Sequence, residues 1–330
     1  MLEKIDFVVT WVDGNDPVWL ASKTKYAKEA NVVLNSDARY RDWEIFKYWF
    51  RSVEKYAPWV NKVFLITEGH VPDWLNIENP KLVHIKHSDY IEQQYLPTFS
   101  ANPIEWAYNK IPELSEYFVN FNDDMFLNSS VKPSDFFSNG VPRDCGIFSP
   151  IVPNGGIVSM VLNNVEIINK YFTFSQVLKN GVTKYFNIKY GKHLIKNICV
   201  SPWMNNILGF YDNHIPISYK KSNFEKIWQL EEVRIRETCS NKFRTRDDIT
   251  HWLVRYWQIC KGDFVPREVD FGRHYNLLDE IDVAIQAIEQ GKYKVICLND
   301  GDSVANFEQC KTRILNALEK KYPHKSSFEK

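Results

Sequence analysis

Short apolar runs alternate with amphipathic segments along the N-terminal part of the chain. Runs rich in β-branched and aromatic residues are typical of buried strands, and they occupy residues 5–10, 62–67, 82–85 and 117–121. Between them, apolar residues at three- and four-residue intervals, or flanking turn signals, predict helices over residues 17–30, 43–57 and 104–110. Strands that alternate with helices predict an α/β fold, with a mainly parallel sheet flanked by helices.

The remainder of the chain has a less regular pattern. Residues 155–290 are predicted to be mainly helical, most clearly over 247–260, where one face carries Ile249, Trp252, Tyr256 and Cys260. Residues 293–298 are predicted to form a strand that returns to the N-terminal sheet, and Asp302 or Ser303 is expected to cap a final helix. We therefore predict one composite domain over 1–330: an α/β part (1–154), a helical insertion (155–290), a C-terminal strand and helix (291–322) and a frayed tail (323–330).

The composition narrows the function classes. The 330 residues carry 41 Lys and Arg against 41 Asp and Glu, and a net charge of zero gives no support for a nucleic-acid partner. No apolar run approaches the ~18 residues that span a bilayer, the N-terminus lacks a signal pattern, and the six cysteines show no CxxC spacing. We expect a cytoplasmic protein with reduced thiols. One basic stretch indicates a solvated helix face, or else contact with an anionic polymer or membrane: Lys184, Lys189, Lys192 and Lys196.

Two polar loops follow predicted strands, at residues 11–16 and 122–124. Ligands of open parallel sheets bind beyond the carboxyl ends of the strands, so both loops are candidate site loops. Asp123 and Asp124 are adjacent carboxylates that repel one another unless a cation lies between them. A divalent ion, Mg²⁺ or Mn²⁺, bridging to a diphosphate would relieve that repulsion; the alternative is a capped turn with solvated acids.

Four further residues have both a chemical and a plain structural interpretation. Glu105 is expected near a helix start, where the helix dipole favours an acid. His214 lies in a turn, where an exposed or hydrogen-bonded histidine is common. Arg244 precedes the predicted helix 247–260 and could form an anion site there. Trp11 could stack on a nucleobase or simply pack in the core.

Four blocks of sequence resemble the Stealth family of sugar-phosphate transferases. The first block is 5–17, Ile-Asp-Phe-Val-Val-Thr-Trp-Val-Asp-Gly-Asn-Asp-Pro. The second begins at Arg41-Asp-Trp-Glu, includes Ile104-Glu105 and ends at Phe121-Asn-Asp-Asp-Met-Phe. The third contains His214-Ile-Pro and Arg244, and the fourth is Cys297-Leu-Asn-Asp. These blocks occur in order over nearly the whole chain.

The resemblance implies a Rossmann-like, nucleotide-sugar-transferase-like fold and transfer of sugar-1-phosphate from a nucleotide-sugar, such as a UDP-hexosamine, to a glycan hydroxyl. By position, the family's functional residues correspond to Glu105, Asp124, His214 and Arg244. Trp11, Asp13, Gly14 and Asn122 are expected donor contacts, and Asp123 and Asp124 are expected metal ligands. Residues 99–105 depart from the family pattern at Ala101 and Pro103, next to the predicted donor contacts Ser100 and Asn102.

The implied reaction serves capsule or exopolysaccharide synthesis, with an oligo- or polysaccharide acceptor and association with a membrane-bound synthesis complex. His214 is the expected base and Arg244 the phosphate clamp, although Asp124 is an alternative base. Two other functions stay open. One is a metal-dependent glycosyltransferase that attacks carbon and releases the nucleoside diphosphate. The other is a non-catalytic protein of polysaccharide assembly.

Overall fold

The computed structural model describes residues 4–27, 34–36, 40–300 and 306–330. Its strands are β1 Ile5–Thr10, β2 Val63–Thr67, β3 Leu82–Lys86, β4 Tyr117–Asn122, β5 Met125–Leu127, β6 Phe137–Ser138, β7 Val141–Asp144, β8 Ile217–Lys220, β9 Val265–Pro266, β10 Gly272–Asn276 and β11 Val295–Asn299. Its α-helices are α1 Pro17–Tyr26, α2 Phe46–Tyr56, α3 His87–Tyr90, α4 Ala101–Trp106, α5 Val158–Tyr171, α6 Phe174–Lys179, α7 Val182–Tyr185, α8 Leu194–Val200, α9 Lys221–Ser240, α10 Trp252–Cys260, α11 Ile281–Gln290 and α12 Phe307–Lys321. Short 3₁₀ turns cover Gln93–Tyr95, Tyr108–Lys110, Pro133–Asp135, Ile188–His193 and Val269–Phe271.

A five-stranded sheet forms the centre of the molecule, in the order β3-β2-β1-β4-β8. The first four strands are parallel, and β8 joins β4 antiparallel. This confirms the predicted α/β fold with a mainly parallel sheet. The predicted strands fall within a few residues of the observed ones because each is a short, mainly apolar run rich in β-branched and aromatic residues.

Each face of this sheet has its own hydrophobic core. Along β1, Phe7 and Val9 point into one core and Val8 into the other, as the two-residue period of a strand requires. Helices α2 and α12 pack in the first core, while α4, α5, α9 and α10 pack in the second. Strands β1 and β4 end side by side, with Thr10 next to Asn122, and their carboxyl ends border a cavity.

The C-terminal strand corrects one prediction. Strand β11 does return to the N-terminal part, but it pairs with β10 and β5 in a separate three-stranded sheet. The edge of β4 in the large sheet is occupied by β8, so β11 pairs instead with the short strand that follows β4. The insertion 155–290 is therefore helical for much of its length, but it also supplies one strand to each of three sheets: β8, β9 and β10.

Two helix starts also differ from prediction. Helix α10 begins at Trp252 rather than near residue 247, because the buried Asp248 carboxylate accepts hydrogen bonds from Asn102, Asn241 and Thr245 and holds its segment in a turn. Helix α4 begins after the cap Ser100, so Glu105 lies in its last turn rather than its first. The predicted end of α1 at residue 30 and the predicted caps Asp302 and Ser303 fall outside the described residues.

The C-terminal tail is docked, contrary to the prediction that it frays. Phe328 is buried against Phe50, with ring centroids 5.2 Å apart. Arg51 of α2 donates two hydrogen bonds of 2.8 Å to the carboxylate of Glu329. The sequence of the tail is mostly polar, so no local pattern predicts that Phe328 and Glu329 are docked. Each of these two residues depends on a partner more than 270 positions away. None of the described helices combines the length and apolar character needed to cross a membrane.

Candidate active site

A cavity of about 680 Å³ opens at the carboxyl ends of β1 and β4. Its wall includes all four residues expected to be catalytic, which come from distant parts of the chain: Glu105, Asp124, His214 and Arg244. Parallel pairing of β1 with β4 brings the loops after these strands to the same edge of the sheet, and segments of the insertion close the other sides. The structure therefore brings together residues up to 139 positions apart, from Glu105 to Arg244.

Asp124 lies in the two-residue turn between β4 and β5, where it faces His214 and Cys297. One ligand atom from each of these three residues lies within 4.8 Å of the other two. The Cys297 thiol donates to Asp124 Oδ2 at 3.4 Å, whereas Asp124 Oδ1 is buried and has no hydrogen-bond partner in the described part of the chain. His214 has a left-handed backbone, with φ of 47°, which sets its ring at the cavity wall. A buried carboxylate oxygen without a donor is expected to bind a cation or a protonated group.

Asp123 precedes this cluster and also lines the cavity. Burial, together with the neighbouring charge of Asp124, raises the pKa of Asp123 to about 7. Asp42, across the cavity, also has a pKa raised by burial. Such a concentration of acids costs repulsion and desolvation unless positive charge is brought in.

Glu105 is 6% exposed, and burial raises its pKa to about 8 even though the positive charge of Arg244 opposes the shift. The Nε2 atom of His251 lies 3.5 Å from Glu105 Oε1. On the other side of that ring, Nδ1 lies 2.8 Å from the hydroxyl of the buried Tyr219. Burial and the charge of His214 lower the pKa of His251 to about 3, so its imidazole is neutral at physiological pH. Glu105 therefore lines the cavity as an uncharged carboxyl beside the buried, hydrogen-bonded pair of His251 and Tyr219.

Arg244 is held by its backbone. Its N–H donates to Asn35 Oδ1 and its carbonyl accepts from Asn35 Nδ2, both at 3.1 Å. The two bonds anchor the loop before α10 to the N-terminal part of the chain, and from this loop Arg244 lines the cavity.

Of the residues expected to contact the nucleotide-sugar donor, four line the cavity and two do not. Trp11 lines the cavity and stacks on Phe46, with ring centroids 5.6 Å apart, and Ser100, Asn102 and Asn122 line it as well. Asn102 also donates to Asp248, at 3.0 Å. Asp13 and Gly14 are not part of the cavity wall among the described residues. A Cβ on Gly14 would lie 1.8 Å from the Tyr40 carbonyl oxygen, so this glycine allows the loop after β1 to approach the cavity-lining Tyr40.

Several cavity residues were missed by inspection of the sequence. Arg255 donates to both carboxylate oxygens of Asp144, at 2.7 and 2.8 Å, and to Asp212, which also accepts from Tyr256 at 2.6 Å. His251 and His274 complete this side of the wall. No local signal pairs Asp144 with Arg255, which are 111 positions apart. On the opposite side, an ion pair of 2.6 Å joins Arg41 to Asp300; only their presence in the family-like blocks marked these two.

Comparison with known proteins identifies relatives of the whole chain. Residues 3–29 match Stealth protein conserved region 1 and residues 39–144 match conserved region 2. The capsular polysaccharide phosphotransferase WcwK of Streptococcus pneumoniae is 53% identical over 332 aligned positions, which cover 100% of this chain and 99% of that protein. The exopolysaccharide phosphotransferase cps2G of Lactiplantibacillus plantarum is 43% identical, covering 99% of this chain and 96% of that protein.

Among solved structures, the galactosyltransferase LgtC in complex with donor and acceptor sugar analogues aligns with 94% of this chain and 95% of its own, at 10% identity and a TM-score of 0.38. A likeness this distant carries no weight for function. The sequence relatives do, because they are 43% and 53% identical over essentially full length. On that evidence this chain belongs to the Stealth family and is a transferase related to the bacterial polysaccharide phosphotransferases.

Proposed function

We propose that this enzyme transfers sugar-1-phosphate from a nucleotide-sugar, such as a UDP-hexosamine, to a hydroxyl group of a growing capsular or exopolysaccharide chain. The observation that carries the proposal is the convergence of Glu105, Asp124, His214 and Arg244 on one cavity. The relatives support it because their names describe polysaccharide phosphotransferases. The reaction would take place at the cytoplasmic side of the membrane, in association with the machinery that holds the glycan acceptor.

In this reaction the acceptor oxygen attacks the phosphorus that carries the sugar. A new P–O bond forms, the P–O bond to the nucleoside monophosphate breaks, and the leaving phosphate takes the electron pair. The acceptor proton passes to His214, because an imidazole is the side chain best suited to accept a proton near neutral pH. The bond between the sugar and its phosphate oxygen is untouched, so the anomeric configuration is retained.

The other side chains stabilise charge on the phosphoryl group. The Arg244 guanidinium binds phosphate oxygens as a charged donor. Glu105 acts as a neutral hydrogen-bond donor, since its pKa of about 8 leaves the carboxyl protonated at pH 7. An ionised carboxylate at this place would repel the diphosphate, so burial of Glu105 serves the reaction by keeping it uncharged. His251 and Tyr219 hold the Glu105 carboxyl in position.

The residues of the cavity fit a divalent cation. The unpartnered Oδ1 of Asp124 and the adjacent carboxyl of Asp123 are oxygen ligands of the kind that Mg²⁺ and Mn²⁺ prefer. Cys297 is the poorest ligand of the group, because burial and the charge of Asp124 raise the pKa of its thiol. A bound cation would supply positive charge for the diphosphate of the donor, and Asp123 and Asp124 would hold it.

The nucleotide that is released tests the proposal directly. The purified protein is incubated with Mg²⁺ or Mn²⁺, a panel of UDP-sugars and an oligosaccharide acceptor, and phosphorus NMR follows the products. Attack at phosphorus yields UMP and a phosphodiester resonance in the glycan. Release of UDP without a phosphodiester would mean attack at carbon, as in a metal-dependent glycosyltransferase, and would refute the proposal.

A variant of Asp124 separates catalysis from a purely structural role. Asp124→Asn removes the charge and leaves the size of the side chain unchanged, so we expect turnover to fall by about 100-fold or more with an unchanged circular dichroism spectrum. Asp73→Asn, on an exposed residue that does not line the cavity, is the matched control. Equal turnover of the two variants would exclude Asp124 from the catalytic machinery, and absence of turnover in the parent protein would favour a non-catalytic protein of polysaccharide assembly.

A further inference from the structure

The helical insertion exposes an unusual number of large apolar side chains. Of the fifteen exposed large hydrophobic residues in the described part of the chain, six lie within positions 182–204. We call these six the insertion surface: Val182, Ile188, Ile195, Ile198, Trp203 and Met204. Ile188 is 91% exposed and Ile195 is 62% exposed. Clustered exposure of this kind marks an interaction site, whereas single exposed apolar residues do not.

Helix α8 contributes to the insertion surface, and it buries a polar residue while exposing two isoleucines. Its buried residues are Val200 and Asn197, and Asn197 donates to the carbonyl oxygens of Gly146 and Tyr185 at 2.8 and 2.7 Å and accepts from the N–H of Phe148 at 2.7 Å. Ile195 and Ile198, three residues apart and therefore on neighbouring positions of one face, are exposed instead. Three hydrogen bonds at Asn197 fix this orientation, so the apolar face is presented outwards by the fold itself.

The Asp, Glu, Lys and Arg residues of the segment that carries this surface are all of one sign. Residues 167–211 contain no Asp or Glu in a chain whose acidic and basic residues are equal in number. The same stretch contains six lysines: Lys170, Lys179, Lys184, Lys189, Lys192 and Lys196. Lys170 and Lys189 form ion pairs with Glu231 and Glu268, which lie outside the stretch. Lys179 and Lys192 are exposed, so they are available to an anionic partner.

We propose that the insertion surface docks the enzyme on an anionic lipid bilayer. Exposed Ile, Trp and Met side chains would enter the boundary between headgroups and acyl chains, and the lysines would lie against lipid phosphates, which is the arrangement of interfacial helices. A second copy of the chain is a poor occupant, because two basic segments would face each other. The docking is independent of the reaction catalysed, and it is measured without any substrate.

Vesicle flotation tests the proposal with the intact protein. We expect binding to vesicles of phosphatidylcholine with about a third phosphatidylglycerol, and weak binding to phosphatidylcholine alone. Cys199 in α8 is the exposed one among the six cysteines, so it can carry a polarity-sensitive thiol dye. The dye emission should shift to shorter wavelength with anionic vesicles. Failure to bind the anionic vesicles would overturn the proposal.

Two pairs of substitutions locate the binding surface. Lys179→Glu with Lys192→Glu should weaken partition to anionic vesicles at least about tenfold, because each lysine near such a surface contributes about 1 kcal/mol, or about fivefold. Ile195→Ser with Ile198→Ser should weaken it by a similar factor through lost apolar burial. Since all four side chains lie at the surface, the variants should unfold at the temperature of the parent protein.

Matched controls carry the same changes elsewhere. Lys226→Glu alters an exposed lysine of α9, and Ile77→Ser with Val233→Ser alters exposed apolar residues outside the insertion. If the controls weaken vesicle binding as much as the insertion variants, the surface is wrongly assigned. If sedimentation shows a dimer that Ile195→Ser with Ile198→Ser converts to a monomer, the occupant is a second copy and the bilayer proposal fails.

Discussion

Replacing Glu105 with Gln is expected to make the protein more stable at neutral pH. The folded protein holds this carboxyl in a buried environment that raises its pKa from 4.5 to about 8. In the unfolded chain the same group ionises near its ordinary value. Between these two pKa values the folded state therefore retains a proton that the unfolded state has lost, and stability falls as the pH rises. Gln has nearly the same shape and cannot ionise, so it removes this penalty.

The size of the effect follows from the shift. Each pH unit between the two pKa values costs about 1.4 kcal/mol, so at pH 7 the penalty is about 3 kcal/mol. The increase in the free energy of unfolding caused by Glu105→Gln should be close to zero near pH 4.5, grow as the pH rises, and level off above about pH 8. The residue is almost completely buried, so solvent screening does little to reduce the figure.

Urea titrations at pH 5, 7 and 8.5 measure this dependence. The control is Glu113→Gln, an exposed residue paired with Lys62 at the surface, for which we expect a change of less than about 1 kcal/mol at every pH. A variant at position 105 that is no more stable than the parent protein at pH 7 and pH 8.5 would refute the description of Glu105 as a desolvated carboxyl. That result would also contradict the proposal that Glu105 acts in the reaction as an uncharged hydrogen-bond donor.

Three further predictions concern activity and stability. Turnover should decline as the pH rises through about 8, because Glu105 then loses the proton it donates; Glu105→Gln should abolish that limb of the kcat/KM profile, and a limb that persists would assign it to another group. Arg51→Ala should lower the free energy of unfolding in urea by about 3–5 kcal/mol, since Glu329 is left buried without its cation, and a loss below 1 kcal/mol would show that the docked tail matters little. Gly14→Ala should cost about 1–3 kcal/mol of stability and raise KM for the donor, as the added methyl group collides with Tyr40; unchanged kinetics would separate this loop from the donor site.

The strands of the large sheet were accessible from sequence because their pattern is local. An apolar run bounded by turn residues specifies a buried strand wherever it occurs, and β1 was predicted with its observed limits. The place of the site followed from the same pattern, since parallel strands bring their carboxyl ends to one edge. The assignment of Glu105, His214 and Arg244 depended on the family resemblance, because each has an ordinary structural interpretation when it is considered alone.

Other features depend on partners that are distant in sequence. The turn that delays α10 exists because Asp248 meets Asn102, and the tail is docked because Glu329 meets Arg51. The strand that β11 joins depends on the pairing of β8 with the edge of β4. The outward apolar face of α8 likewise needs the backbone of residues 146 and 148 to bind Asn197.

The amino-acid sequence by itself determined the first four strands of the large sheet, the α/β class and the position of the two loops that border the cavity. Tertiary structure alone decided the protonation of Glu105, the isolation of Asp124 Oδ1 and the network around Arg255. The physical reason is the range of the interactions involved. Hydrophobic periodicity acts over a few neighbouring residues, whereas burial of a charge depends on every segment that packs around it.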